Sequence, residues 1–135
     1  MSDAPPQLDP AKVQAFVASA HGDLDVVRSL LDQEPALVNA AWDWGGGDWE
    51  TGLGAAAHMG RRDIATFLLE RGARLDLFAA AMFGDVAVVG AMLEAHPALR
   101  DAPGPHGIPL VEHARVGGEH ARGVLELLET VDVGT

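Results

Sequence analysis

The sequence predicts an all-α solenoid of about four helix-turn-helix repeats, and three observations carry that expectation. Four stretches line up around a glycine: FVASAHGDLDVVRSLLDQEPAL at 16–37, LGAAAHMGRRDIATFLLERGARL at 53–75, FAAAMFGDVAVVGAMLEAHPAL at 78–99 and LVEHARVGGEHARGVLELLE at 110–129. In each, a short segment rich in small residues precedes the glycine, and a segment with apolar groups at helical spacing follows it. Helix-starting aspartates sit directly after two of the glycines, at Asp23 and Asp85.

The elements follow in order. Asp9–Pro10 opens the first helix with a cap and a preset φ, and Val13, Phe16, Val17 and Ala20 form its i, i+3, i+4, i+7 stripe. The outer helices carry Val26, Val27, Leu30 and Leu31 in the first copy, Ile64, Phe67, Leu68 and Ala73 in the second, and Val88, Val89, Met92 and Leu93 in the third. The last helix offers Ala121, Val124, Leu125 and Leu128 inward, with Glu119, Arg122, Glu126 and Glu129 outward, as a terminal repeat needs to stay soluble. Gly22, Gly60 and Gly84 are expected to close the inner helices in the left-handed conformation. The expected organisation is a flexible N-terminus over 1–8, one domain over 9–130 with repeats at about 9–40, 41–74, 75–101 and 102–130, and a C-terminal tail over 131–135.

Composition narrows the function classes. With 135 residues, 48% of them apolar, the chain can bury a core without staples, and the absence of cysteine removes disulfides and thiolate chemistry. Twenty acidic against nine basic residues give a net charge of −11, and no basic cluster exceeds Arg61–Arg62. Nucleic acid and anionic membrane surfaces are therefore poor partners. MSDAPPQLDP has neither a basic nor an apolar region of the kind that directs secretion, and no run approaches the roughly 20 apolar residues of a membrane span. The expected location is the cytoplasm.

The glycine spacings are 38, 24 and 33 residues from Gly22 through Gly60 and Gly84 to Gly117. Paired helices with a period near 33 resemble the ankyrin-repeat family over roughly residues 11–130. TGLGAAAHMG at 51–60 and IPLVEHARVG at 108–117 stand where that family has TPLHxAAxxG, and LLERGARLD at 68–76 is similar to its LLxxGAdvn helix end. Thr51, Leu53, Ala56 and Ala57 keep the signature in one copy, and Pro109, Leu110 and Ala114 in the other; neither keeps its histidine. The resemblance implies an ankyrin-type fold in which β-hairpin fingers and inner helices line a concave, partner-binding face. RGARLDLF at 71–78 is too short for a finger, so that finger is read as deleted, with Asp76 capping the third inner helix directly. The surplus residues before the second pair fall in AWDWGGGDWETG at 41–52, one enlarged finger whose tip Gly45, Gly46 and Gly47 would leave free to move.

That loop holds Trp42, Trp44 and Trp49. Tryptophan is enriched at interface hot spots, so the three rings form a candidate contact set; Trp49, nearest the helix start, is also placed to staple the first helical turn. In the family the two positions before each repeat glycine face the groove. Here they are Ala20–His21, His58–Met59, Met82–Phe83 and Arg115–Val116. Phe83 is equally placed to pack on the next repeat. The candidate partner-binding residues are Trp42, Trp44, Trp49, Glu50, His58, Met59, Met82, Phe83, His106 (in the turn-rich PGPHG) and Arg115. An apolar segment bearing Arg or Lys would suit a patch ringed by Asp43, Asp48 and Glu50.

Chemistry-bearing patterns are sparse. No nucleophile elbow, HExxH or phosphate loop is present. His113 and His120 sit in EHARVGGEHAR, where two glycines interrupt the helix between them, and no three or four ligands converge legibly. The histidines are expected to be solvated or capping. The expected function is binding of a protein or peptide by a monomer, without catalysis, metal or cofactor. The alternative is a small-molecule or metal-dependent enzyme using His58, His113 and His120 with nearby carboxylates, and a self-complementary apolar patch would make an oligomer.

Overall fold

A computed structural model describes residues 3–133 of the chain. Four helix pairs run in order: α1 (Pro10–Ser19) with α2 (Leu24–Gln33), α3 (Gly52–His58) with α4 (Arg62–Glu70), α5 (Leu77–Phe83) with α6 (Val86–Ala95), and α7 (Leu110–Val116) with α8 (Arg122–Val133). Between α2 and α3 lies a two-stranded antiparallel hairpin, β1 (Ala41–Asp43) and β2 (Trp49–Thr51). The inner helices α1, α3, α5 and α7 lie side by side, and the outer ones back them. Residues 131–133, expected as tail, continue α8; residues 1–2 and 134–135 lie outside the described residues.

Local chemistry sets most helix starts. Asp9 accepts from the Ala11 amide, Asp23 from Val26, Thr51 from Gly54, Asp76 from Ala79 and Asp85 from Val88, each such cap contributing about 1 kcal/mol. The six-residue connection Arg71–Asp76 carries no strand. It is closed instead by Asn39, which donates to the Gly72 carbonyl and accepts from the Arg74 amide. Gly60 and Gly84 take positive φ as expected; Gly22 does not. There α1 unwinds through a turn, with the amides of His21, Gly22 and Asp23 bonded to the carbonyls of Ala18, Ser19 and Ser19.

The core forms two continuous clusters. Phe16, Val17, Val27, Leu37, Leu53, Ile64 and Leu68 build the first; Val89, Leu110, Ala114, Ala121 and Val124 build the second. Alanine runs at 55–57 and 79–81 are fully buried and let the inner helices approach closely. A Cβ on Gly84 would stand 1.7 Å from the His120 carbonyl oxygen, and one on Gly117 would stand 2.2 Å from that of Met82. The ends of α3 and α7 also meet, since a Cβ on Gly60 would lie 2.8 Å from the Val116 oxygen. This closure corrects one expectation. Met82 is only 1% exposed and belongs to the core, not to an open groove.

Arginines tie neighbouring pairs together. Arg61 donates to the Gly22 carbonyl and pairs with Asp63, and Arg62 lies 5.0 Å over the Phe83 ring while donating to its carbonyl. Phe83 is thus half-buried, packed between repeats.

Leu68→Ala should destabilise by about 2–5 kcal/mol in denaturant unfolding, because a fully buried leucine is replaced by a cavity. Gly84→Ala should lower stability by more than the about 1–2 kcal/mol of left-handed strain alone, since its Cβ meets backbone that cannot move aside. Thermal melts of the two variants check both.

Candidate functional site

The hairpin register places Trp42 opposite Glu50 and Asp43 opposite Trp49. Side chains alternate across a strand, so Trp42 and Glu50 share one face and Trp49 takes the other. The inner face turns toward the helices. Trp42 packs against the first core cluster, and Glu50 is 1% exposed. Trp49 points outward and is 61% exposed, so it is not the staple its position suggested. The tip is not a loose loop. Gly45, Gly46 and Gly47 all take positive φ, and Asp43 accepts from the amides of Gly45 and Gly47, which fixes the turn.

A buried carboxylate requires partners, and Glu50 gathers three imidazoles. His21 Nε2, from the end of α1, lies 3.2 Å from Oε1; His58 Nε2, from the end of α3, lies 2.9 Å from Oε2; His106 Nε2 lies 3.2 Å from Oε2. Trp44 donates its indole N–H to Oε1 at 2.9 Å and stands edge-on to His21. The imidazole centroids are 5.0 Å apart for His21–His58 and 5.2 Å for His58–His106.

His106 reaches this cluster from the connection between α6 and α7. Its backbone amide donates to Asp48 Oδ1 at 2.8 Å, and its Nδ1 lies 2.7 Å from Asp48 Oδ2. Pro105 packs onto the Gly54 position. His106 is the one described non-glycine residue with positive φ, at 59°, a conformation histidine tolerates better than most residues and that clusters at functional positions. Because Arg71–Asp76 carries no hairpin, the hairpin of the second pair and the loop of the fourth meet directly.

The electrostatics are coupled. Burial pushes the Glu50 carboxyl up, but His21, His58 and Trp44 together hold it down at about 2. The contact with Glu50 raises His21 above the ordinary imidazole value against the opposing effect of burial. The His106 backbone amide, then its ring, hold Asp48 below the usual carboxylate range.

His21, Glu50, His58 and His106 each offer a ligand atom, and these atoms all lie within 4.8 Å of one another. Convergent histidines replace the solvated or capping ones expected. Glu50 and His58 are therefore interior groups rather than partner contacts; the His58 side chain is 10% exposed. His113 and His120 do not join them. His113 is buried against Phe78, donating from Nδ1 to the Pro109 carbonyl, while His120 is exposed. Sequence reasoning missed His21 and the role of Asp48. The signal for His21 was its place at the end of an inner helix, one repeat before His58.

Outside the cluster, Met59 is 52% exposed, and Arg115 is exposed and pairs with Glu112. A cleft of about 440 Å³ runs beside the hairpin, lined by Trp49, Thr51, Asp76, Phe78, Pro103 and Pro105 among others. No described helix is long and apolar enough to cross a membrane.

The sequence model of a family described as ankyrin repeats in many copies matches residues 15–69, which run from the middle of α1 through most of α4 and take in the hairpin. No curated protein matches the chain.

Burial lowers the His113 pKa below 6.5. As pH falls below 6.5 the unfolded chain takes up this proton before the folded one, so His113 reduces stability on the acid side and contributes nothing well above 6.5. The Tm difference between wild type and His113→Asn should therefore shift in favour of the variant as pH drops from 7 to 5.

Proposed function

We propose that this chain, whose residues 15–69 match ankyrin repeats, is an ankyrin-repeat protein that binds a partner protein or peptide through its hairpin and the cleft beside it, without catalysis of its own. Ankyrin repeats generally serve as protein–protein interaction modules. In that frame the hairpin over 41–51 is an enlarged finger, and the bare connection over 71–76 is the place of a deleted one.

The observation that carries the reading is Trp49, a large indole held 61% exposed on an ordered hairpin. Exposing an aromatic ring of this size forgoes burial worth about 1.5–3 kcal/mol, and tryptophans are the residues interfaces most often use as anchors. Its surroundings define what fits. Trp49 and Thr51 of the hairpin, Phe78 of α5, and Pro103 and Pro105 of the loop before α7 line the cleft together. Asp48 and Asp76 border the same cleft. An extended segment with an aromatic or aliphatic residue beside Arg or Lys matches both the apolar walls and the net charge of −11. Met59, Val116 and Arg115, at the ends of α3 and α7, extend the contact surface. Trp42, Glu50, His58 and Met82 support it from beneath. We read the active species as a cytoplasmic monomer.

Selection from a displayed peptide library should enrich sequences pairing an apolar anchor with a basic residue. Trp49→Ala should weaken the selected peptides at least about tenfold, the scale of a residue worth more than 1 kcal/mol, while Tm changes little. Trp42→Ala, by contrast, should lower Tm. Equal capture by wild type and Trp49→Ala would remove the cleft from consideration.

A further inference from the structure

We propose that His21, Glu50, His58 and His106 form a binding site for a divalent first-row transition ion, zinc foremost, which clamps the hairpin of the second repeat to the loop of the fourth. The inference stands apart from the partner-binding reading.

Proton bookkeeping points to it first. His21 Nδ1 lies 3.0 and 3.1 Å from the carbonyl oxygens of Val17 and Ala18, and two acceptors require Nδ1 to carry the proton. His106 Nδ1 likewise donates to the Asp48 carboxylate. In their neutral forms both rings therefore turn a bare Nε2 lone pair toward Glu50, which repels it. Protonating both rings would relieve that contact only by setting two positive charges 6.2 Å apart by ring centroid, against two carboxylates. A single divalent cation satisfies three neutral imidazoles and Glu50 at once. With Asp48 counted, the cluster is then neutral.

Unpartnered atoms are the second observation. Glu50 Oε2 and His58 Nε2 are buried and 2.9 Å apart, yet neither makes a hydrogen bond. Both are aimed into the centre of the cluster, as ligand atoms sharing an ion would be. Oε1 already accepts from Trp44, which leaves Oε2 as the ligand oxygen. The spacings from Oε2 to His58 Nε2 and His106 Nε2, 2.9 and 3.2 Å, approach the about 3.3 Å between ligand atoms around a tetrahedral zinc with bonds of about 2.0–2.1 Å.

The outer contacts are those metal-ligating histidines use. One ring is held by backbone carbonyls and another by a carboxylate, and the ligating glutamate is itself held by an indole N–H. Three nitrogens and one oxygen suit zinc, with cobalt as its spectroscopic substitute. Four protein ligands leave no open coordination position, so the site is structural.

The full-length protein, dialysed against a chelator, should bind one Zn²⁺ per chain by calorimetry. Co²⁺ should give the intense visible bands of tetrahedral coordination, and added zinc should raise Tm. His106→Ala changes an exposed loop and should keep the helical circular dichroism while weakening binding more than about 100-fold; Asp48→Asn should weaken it about 10–100-fold and alter the Co²⁺ spectrum. The double variant His96→Ala/His120→Ala, outside the cluster, should bind as wild type does. Absence of stoichiometric binding, binding undiminished in both His106→Ala and His21→Ala, or loss of binding in the double variant would each overturn the assignment.

Discussion

The buried carboxylate of Glu50 is the constraint around which this molecule is arranged. An ionised group without solvent must be compensated by fixed partners, and removing one partner leaves the charge stranded at a cost of several kcal/mol. Here the partners come from α1, α3, the hairpin itself and the loop before α7. One side chain thereby fixes the position of elements that adjacency in a helical stack would not bring together. The ordered tip with three positive-φ glycines, the indole N–H that Trp44 donates to Oε1 and the unusual backbone of His106 all serve that group.

The hairpin reconciles two opposed demands through the pleat of its strands. Alternation sends Trp42 and Glu50 inward and Asp43 and Trp49 outward. The inner face fixes the backbone, and a fixed backbone lets the outer face present a large apolar ring with little conformational entropy to lose on association. Rigidity and exposure, which compete within a glycine-rich loop, are here properties of opposite faces.

Local features of the fold were legible in the sequence. The helix pairs, the caps at Asp9, Asp23, Asp76 and Asp85, and the missing strand over 71–76 depend on neighbouring residues, where spacing and side-chain chemistry decide. Glu50, His58, His106 and Trp44 were also recognisable as notable residues. Their convergence was not, because it depends on a contact between Asp48 and His106, 58 positions apart. The reversal between Trp42 and Trp49 has a similar origin. Only the strand register, which three glycines in sequence leave open, decides which indole faces the interior. The burial of Met82 is a matter of helix approach, set by backbone spacing at Gly60 and Gly117 rather than by its own hydropathy.

In most stacked-repeat architectures each unit touches only its neighbours, so stability is a sum of local increments and the ends can fray independently. The Asp48–His106 bridge breaks that one-dimensionality by joining the second unit to the fourth past the third. A ring closed in this way ties opening of the terminal unit to disruption of the hairpin. The array should consequently melt as one cooperative block, and the added sequence separation of its defining contact should slow its folding relative to an open stack of equal length.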